Sequence, residues 1–140
     1  MAAYNKFQAF VEHMAEKVHD LGANQLVVAL CAAANAPVAT NAVLADLTQI
    51  SYTNLSSRNI TTSSSAQSSG TYKLTLADLV LTASGGSVAT FRYVVIYNDT
   101  PTSPADPLIC WFDYGSNVTL ADGETFTIDF DGTNGLLQIA

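Results

Sequence analysis

Charge is what this chain has least of. Asp, Glu, Lys and Arg make up 12% of its 140 residues, about half of the roughly 25% usual in globular domains. Its surface must therefore be built largely from Ser, Thr, Asn and Ala, which suits a subunit packed against neighbours better than a free monomer. Positive charge is scarcer still. The five basic residues all lie at or before Arg92, and every later charge is acidic: Asp99, Asp106, Asp113, Asp122, Glu124, Asp129 and Asp131. With a net charge of −7 and no basic stripe, nucleic acid is excluded as an expected partner.

Residues that do chemistry are few. His13 and His19 stand six apart, which on a helix puts them on different faces, so no i, i+4 metal pair forms and surface histidines are expected. Cys31 and Cys110 sit inside the apolar runs LVVALCAAA and PLICWF and read as buried thiols, with a single disulfide left open. Nucleophile elbow, P-loop, dinucleotide fingerprint and CxxC are all missing. Asp122 and Glu124 flank a tight turn, where solvation rather than a raised pKa is expected. Asp129, Asp131 and Asn134 resemble the opening of a calcium loop, but no closing Glu follows, and an outward-facing strand end explains them as well. No catalytic, metal-binding or cofactor-binding residue is assigned, and the chain is not expected to be an enzyme.

Long apolar runs are also missing. Residues 26–36, LVVALCAAANA, are too short to span a membrane. They imitate a secretory core with an A-x-A site, yet the residues before them mix both charge signs, so a signal peptide is rejected. The N-x-S/T triplets at Asn54, Asn59, Asn98 and Asn117 follow from an Asn/Ser/Thr-rich composition.

What is present is β-like. Tyr4, Phe7, Phe10, Val11, Met14, Val18 and Leu21 form one helical stripe ending at Gly22, which predicts an amphipathic helix over 4–21. From Gln25 onward, short apolar runs alternate with turn residues. QLVVALCA reads as a strand, and VLADLTQISY is ambiguous between helical turn and strand. TYKLTLADLVLTA alternates but changes phase at Ala77-Asp78, which suggests a bulge. FRYVVIYN is apolar on both faces and so belongs mid-sheet. DTPTSPADP is a loop and LICWFDY a strand. VTLADGETFTIDF reads as a hairpin about Asp122-Gly123, and LLQIA closes the chain. The expected fold is mainly β: a single domain over 1–140, with one N-terminal α-helix on an antiparallel, jelly-roll-like sandwich over 25–140.

Binding is the remaining question. Tyr4, Phe7 and Phe10 either cover an open end of the sandwich or dock on a neighbouring subunit. Trp111, Tyr114, Tyr93 and Tyr97 offer a sugar-stacking platform or, as strand aromatics usually do, core packing. TTSSSAQSSG, residues 61–70, lies within one domain because residues 1–60 are too few to hold a core alone. It is expected to be an exposed extended segment or broad loop joining two strands, with Ser64 and Ser68 as contact residues.

The stretches YNKFQAFVEHMAEKVHDLGANQLVVAL, ATNAVLADLTQISYTNLSSRN, SGTYKLTLADLVLTASGG, FRYVVIYNDTP and DPLICWFDYGSNVTLADGETFTIDF together resemble the capsid cement, or decoration, proteins of tailed bacteriophages. The resemblance covers essentially the full length and carries no catalytic motif. It implies a jelly-roll-like virion protein, assembled in the host cytoplasm, that sits on the outer capsid surface. Its implied partners are the major capsid protein, which it bridges, and a second copy of itself in a homodimer, with no membrane and no cofactor. The alternative is a tail- or neck-associated, or carbohydrate-binding, β-sandwich module.

Overall fold

The computed structural model describes residues 2–140. The chain is mainly β, and every strand pairing is antiparallel. In order come β1 (Asn5–Lys6), α1 (Ala9–Ala15), β2 (Leu26–Cys31), β3 (Asn59–Ile60), β4 (Thr62–Ser68), β5 (Thr71–Leu76), β6 (Leu79–Thr82), β7 (Phe91–Asn98), β8 (Leu108–Val118), β9 (Thr125–Ile128) and β10 (Leu137–Ile139). They form a five-stranded sheet ordered β1-β8-β7-β2-β3, a three-stranded sheet β10-β5-β4 and the pair β6-β9.

The five-stranded sheet is covered on both faces, which is why β2 and residues 93–97 of β7 are apolar at successive rather than alternate positions. Leu26, Val28 and Leu30 of β2, with Val94 and Ile96 of β7, pack in one cluster with Leu74, Leu76, Leu81 and Ile128 from the smaller sheets. Val27, Ala29 and Cys31, with Val95 and Tyr97, belong to a second cluster, closed by Phe7, Leu44, Leu47 and Trp111. Cys31 and Cys110 fall in different clusters and are free thiols. VLADLTQISY resolves as a short 3-10 turn at Leu44–Asp46 followed by irregular chain.

The helix is shorter than the 4–21 expected. Asn5 and Lys6 pair instead with Trp111 and Cys110 of β8, and α1 covers only Ala9–Ala15. Its end is a Schellman closure. Lys17 adopts φ 65°, Val18 N–H donates to His13 O at 2.9 Å and Lys17 N–H to Met14 O at 3.4 Å. This is the 6→1 and 5→2 pattern usually built on glycine, and it stops the helix well before Gly22. No helix among the described residues is long and apolar enough to cross a membrane.

Two further expectations change. The phase slip at Ala77-Asp78 is not a bulge but the point where the chain leaves the three-stranded sheet for the β6-β9 pair, with Asp78 Oδ1 accepting from Phe130 N–H at 2.9 Å. Nor does Asp122-Gly123 join a hairpin. Its turn is present, with Gly123 at φ 85°, but β9 pairs with β6, so the turn carries the chain between layers. Gly135, at φ 77°, sits where a Cβ would meet Leu74 O at 2.5 Å. Only glycine lets the last turn press against β5 there.

Candidate interaction surfaces

TTSSSAQSSG is itself a strand. β4 occupies the outer edge of its sheet, and Ser68 pairs with Thr71 across a two-residue loop. Ser69 and Gly70 take φ 50° and 84°, the double positive φ of a type I′ turn. The register sets Ser64 opposite Thr75 and Ser68 opposite Thr71, while Ser65 faces Leu74. Ser64 and Ser68 are therefore on the exposed side, and Ser65 turns the other way, its Oγ 2.8 Å from the Tyr72 hydroxyl. No charged residue occurs from 59 to 72. Edge strands are normally blunted by charge, proline or bulges; this one carries only a register shift between Thr62 and Ser64.

The aromatic stripe of the N-terminus does not form a surface. Phe7 is 0% exposed and Phe10 6%, so both leave the set of expected interface residues. The reason is the β1 pairing: it carries Phe7 beneath the sheet, where its ring lies 4.6 Å from that of Trp111. Phe10 packs 5.2 Å from His19. Tyr4 alone stays partly open at 38%. Its ring meets Phe112 edge-on at 6.0 Å, while burial and the neighbouring Cys110 thiol push its hydroxyl pKa up.

The sugar-stacking platform is not assembled either. Tyr93, Tyr97 and Trp111 pack in the Phe7 cluster, whereas Tyr114 stacks edge-on against Phe126 at 5.2 Å. Tyr114 instead helps line a groove of about 610 Å³ with Tyr4, Phe112 and Phe126. Asp129 and Asp131 lie on it too. Asp131 is held below the usual carboxylate range by the N–H groups of Asn134 and Thr133, its oxygens turned to its own loop. Asp129 makes no hydrogen bond or ion pair among the described residues.

The remaining polar chemistry is structural. Arg92 and Asp113 form a salt bridge at 2.8 Å, which lowers the Asp113 pKa. Burial pushes the Cys31 thiol up to about 11 and raises Cys110 as well, so neither is a ready thiolate. Of the two histidines expected at the surface, His19 is buried and His13 is half-buried. Beyond Lys17 the chain doubles back, bringing the His19 ring 6.0 Å from His13, and His19 is only 7% exposed. Asn98, 0% exposed, fixes its state. Thr100 N–H donates to Asn98 Oδ1 at 3.2 Å, so the Asn98 amide nitrogen faces Asn24 Oδ1 at 2.8 Å and His19 Nδ1 at 3.1 Å. His19 Nδ1 must accept, and the single ring proton sits on Nε2. His19 Nε2 and His13 Nδ1 are both buried with no hydrogen-bond partner among the described residues.

Comparison with protein-family profiles, curated proteins and solved structures finds no match to this chain.

Proposed function

We propose that the chain is a virion structural protein of the cement type, which binds the outside of an icosahedral phage head and ties neighbouring major capsid subunits together. The observation that supports this best is the β4 edge: a seven-residue strand, uncharged, hydroxyl-rich and open along its outer hydrogen-bonding side. A neighbouring strand can add there through main-chain bonds, and short hydroxyl side chains lose little rotamer entropy when ordered. The net charge of −7 would repel acidic surfaces, but none of that charge lies on this strand. A jelly-roll reading of the sandwich, a homodimeric state and a place on the outer capsid surface belong to the same proposal. Reinforcement then works by added interface: bursting the shell must also break these contacts, and many copies acting together need only modest affinity each.

The double variant Ser64→Lys/Ser68→Lys tests it. Both side chains are exposed, so the melting temperature should stay within about 2 °C of the parent. Shell binding should weaken about tenfold, since two ammonium groups would have to be desolvated at the contact. Unchanged shell binding would dismiss the β4 edge. Equal binding to isolated capsid subunits would dismiss bridging.

A further inference from the structure

We propose that the Tyr4–Tyr114–Phe126 groove is a docking slot for an extended segment of a partner protein carrying a large apolar side chain next to a lysine or arginine. The slot is separate from β4 and does not depend on the shell-binding reading.

The apolar half of this specificity comes from how the layers meet. The second layer is split between β10-β5-β4 and β6-β9, and it does not close completely over β8. Phe112 and Phe126 pack against the main core yet also line the groove, with Val94 and Ile128 beside them. At about 610 Å³ the space falls within the 300–1,000 Å³ typical of ligand sites. Its walls are pre-set. Phe126 is held edge-on between Phe91 and Tyr114, with both ring centroids 5.2 Å away, so filling the groove requires little reordering.

The charged half comes from Asp129. Its carboxylate is exposed and unpartnered among the described residues, and the charge of Asp131 lies on the same groove. Arg92 is taken by Asp113, and Lys73, donating to Thr133 O at 2.8 Å, offsets part of the Asp131 charge, so Asp129 carries the unpaired charge of the groove. The groove therefore presents a negative mouth over an aromatic floor, which selects a cation beside an apolar group. A sugar fits less well. Its aromatics pack edge-on against one another rather than offering an open stacking face, and the polar side chains of the lining are limited to Thr127, Asp129, Asp131 and the Tyr hydroxyls.

Selection of a random 12-residue peptide library on the full chain, followed by NMR titration of the enriched peptides, tests the proposal. The peptides should carry Phe, Leu or Met within two residues of Lys or Arg, and should shift the signals of Phe112, Tyr114 and Phe126. Asp129→Lys and Tyr114→Ser change exposed side chains and should each weaken binding about five- to tenfold, with the melting temperature as the check on folding. Any of four results overturns the proposal: no enrichment, enriched peptides lacking a basic residue, binding indifferent to Asp129→Lys, or shifts confined to β4. Oligosaccharides that move the groove signals when no peptide is selected also overturn it, in favour of sugar binding.

Discussion

Replacing Phe7 by alanine is expected to destabilise the chain by about 3–5 kcal/mol, lowering its melting temperature by roughly 10–20 °C. Phe7 is 0% exposed and packs against Trp111 on the second face of the five-stranded sheet. Removing its ring leaves a cavity that β1, tied to β8 by two residue pairs, cannot collapse to fill. Val11→Ala is the matched control: Val11 is 53% exposed, and its loss should change stability by less than about 0.5 kcal/mol. Urea unfolding of the two variants separates a core role for the N-terminal segment from a docking role. A docking stripe would lose partner binding with Phe7→Ala at almost no cost in stability, and that result would sink the assignment. It also follows that deleting residues 1–22 is a poor probe of docking, because Phe7, Phe10 and Leu21 are all buried.

The helix expected over 4–21 is cut to Ala9–Ala15 for a physical reason. Phe7, Phe10 and Leu21 fit a helical stripe, but their burial arises just after a strand, in a short helix and in a turn. The stop at Lys17 was invisible because a lysine in left-handed geometry leaves no compositional trace, whereas Gly22 advertises itself. By contrast, LVVALC and FRYVVIYN were legible, since unbroken β-branched and aromatic runs fit only a strand covered on both sides. The phase change at Ala77-Asp78 was also real in the sequence, but one chain cannot say whether a slip is a bulge or a change of sheet. β4 was half legible: its exposure follows from its composition, while its strand character depends on pairing with β5.

The candidate surfaces were less legible still, because they join distant residues. Tyr4, Phe112 and Phe126 meet only through the strand order, and no local pattern marks them as neighbours. The same holds for His19 and Asn98, whose hydrogen bond spans a sequence separation of 79. On a single helix, a separation of six residues sets the histidines on different faces. The turn at Lys17 undoes it, and the outcome is a buried polar cluster at the end of β7 rather than two solvated rings.

That cluster makes the fold sensitive to acid. Between pH 6.5 and pH 4 the chain should lose about 3 kcal/mol of stability. Burial, together with the like charge of His13, brings the His19 pKa down from 6.5 to about 4. The contacts give the same direction: a second proton would have to sit on Nδ1, facing the donor nitrogen of Asn98 at 3.1 Å. The sign follows from proton uptake. The unfolded chain accepts this proton near pH 6.5 and the folded chain only near pH 4, so protons favour the unfolded state throughout the interval. Stability is therefore full above about pH 6.5, falls as the pH drops, and has lost the whole His19 contribution below about pH 4. Asp113 and Asp131, whose pKa values are lowered, lose their contributions at still lower pH. Lys17 and Asp20 line the same cleft. His19→Asn offers a carboxamide oxygen in place of Nδ1 and removes the titration, so its stability should be nearly flat from pH 7 to pH 4.5. Urea unfolding at closely spaced pH values, with the His19 ring signals followed by NMR, measures both curves. A His19 midpoint near 6.5, or an equally steep pH dependence in His19→Asn, would show that Asn98 does not hold the imidazole neutral.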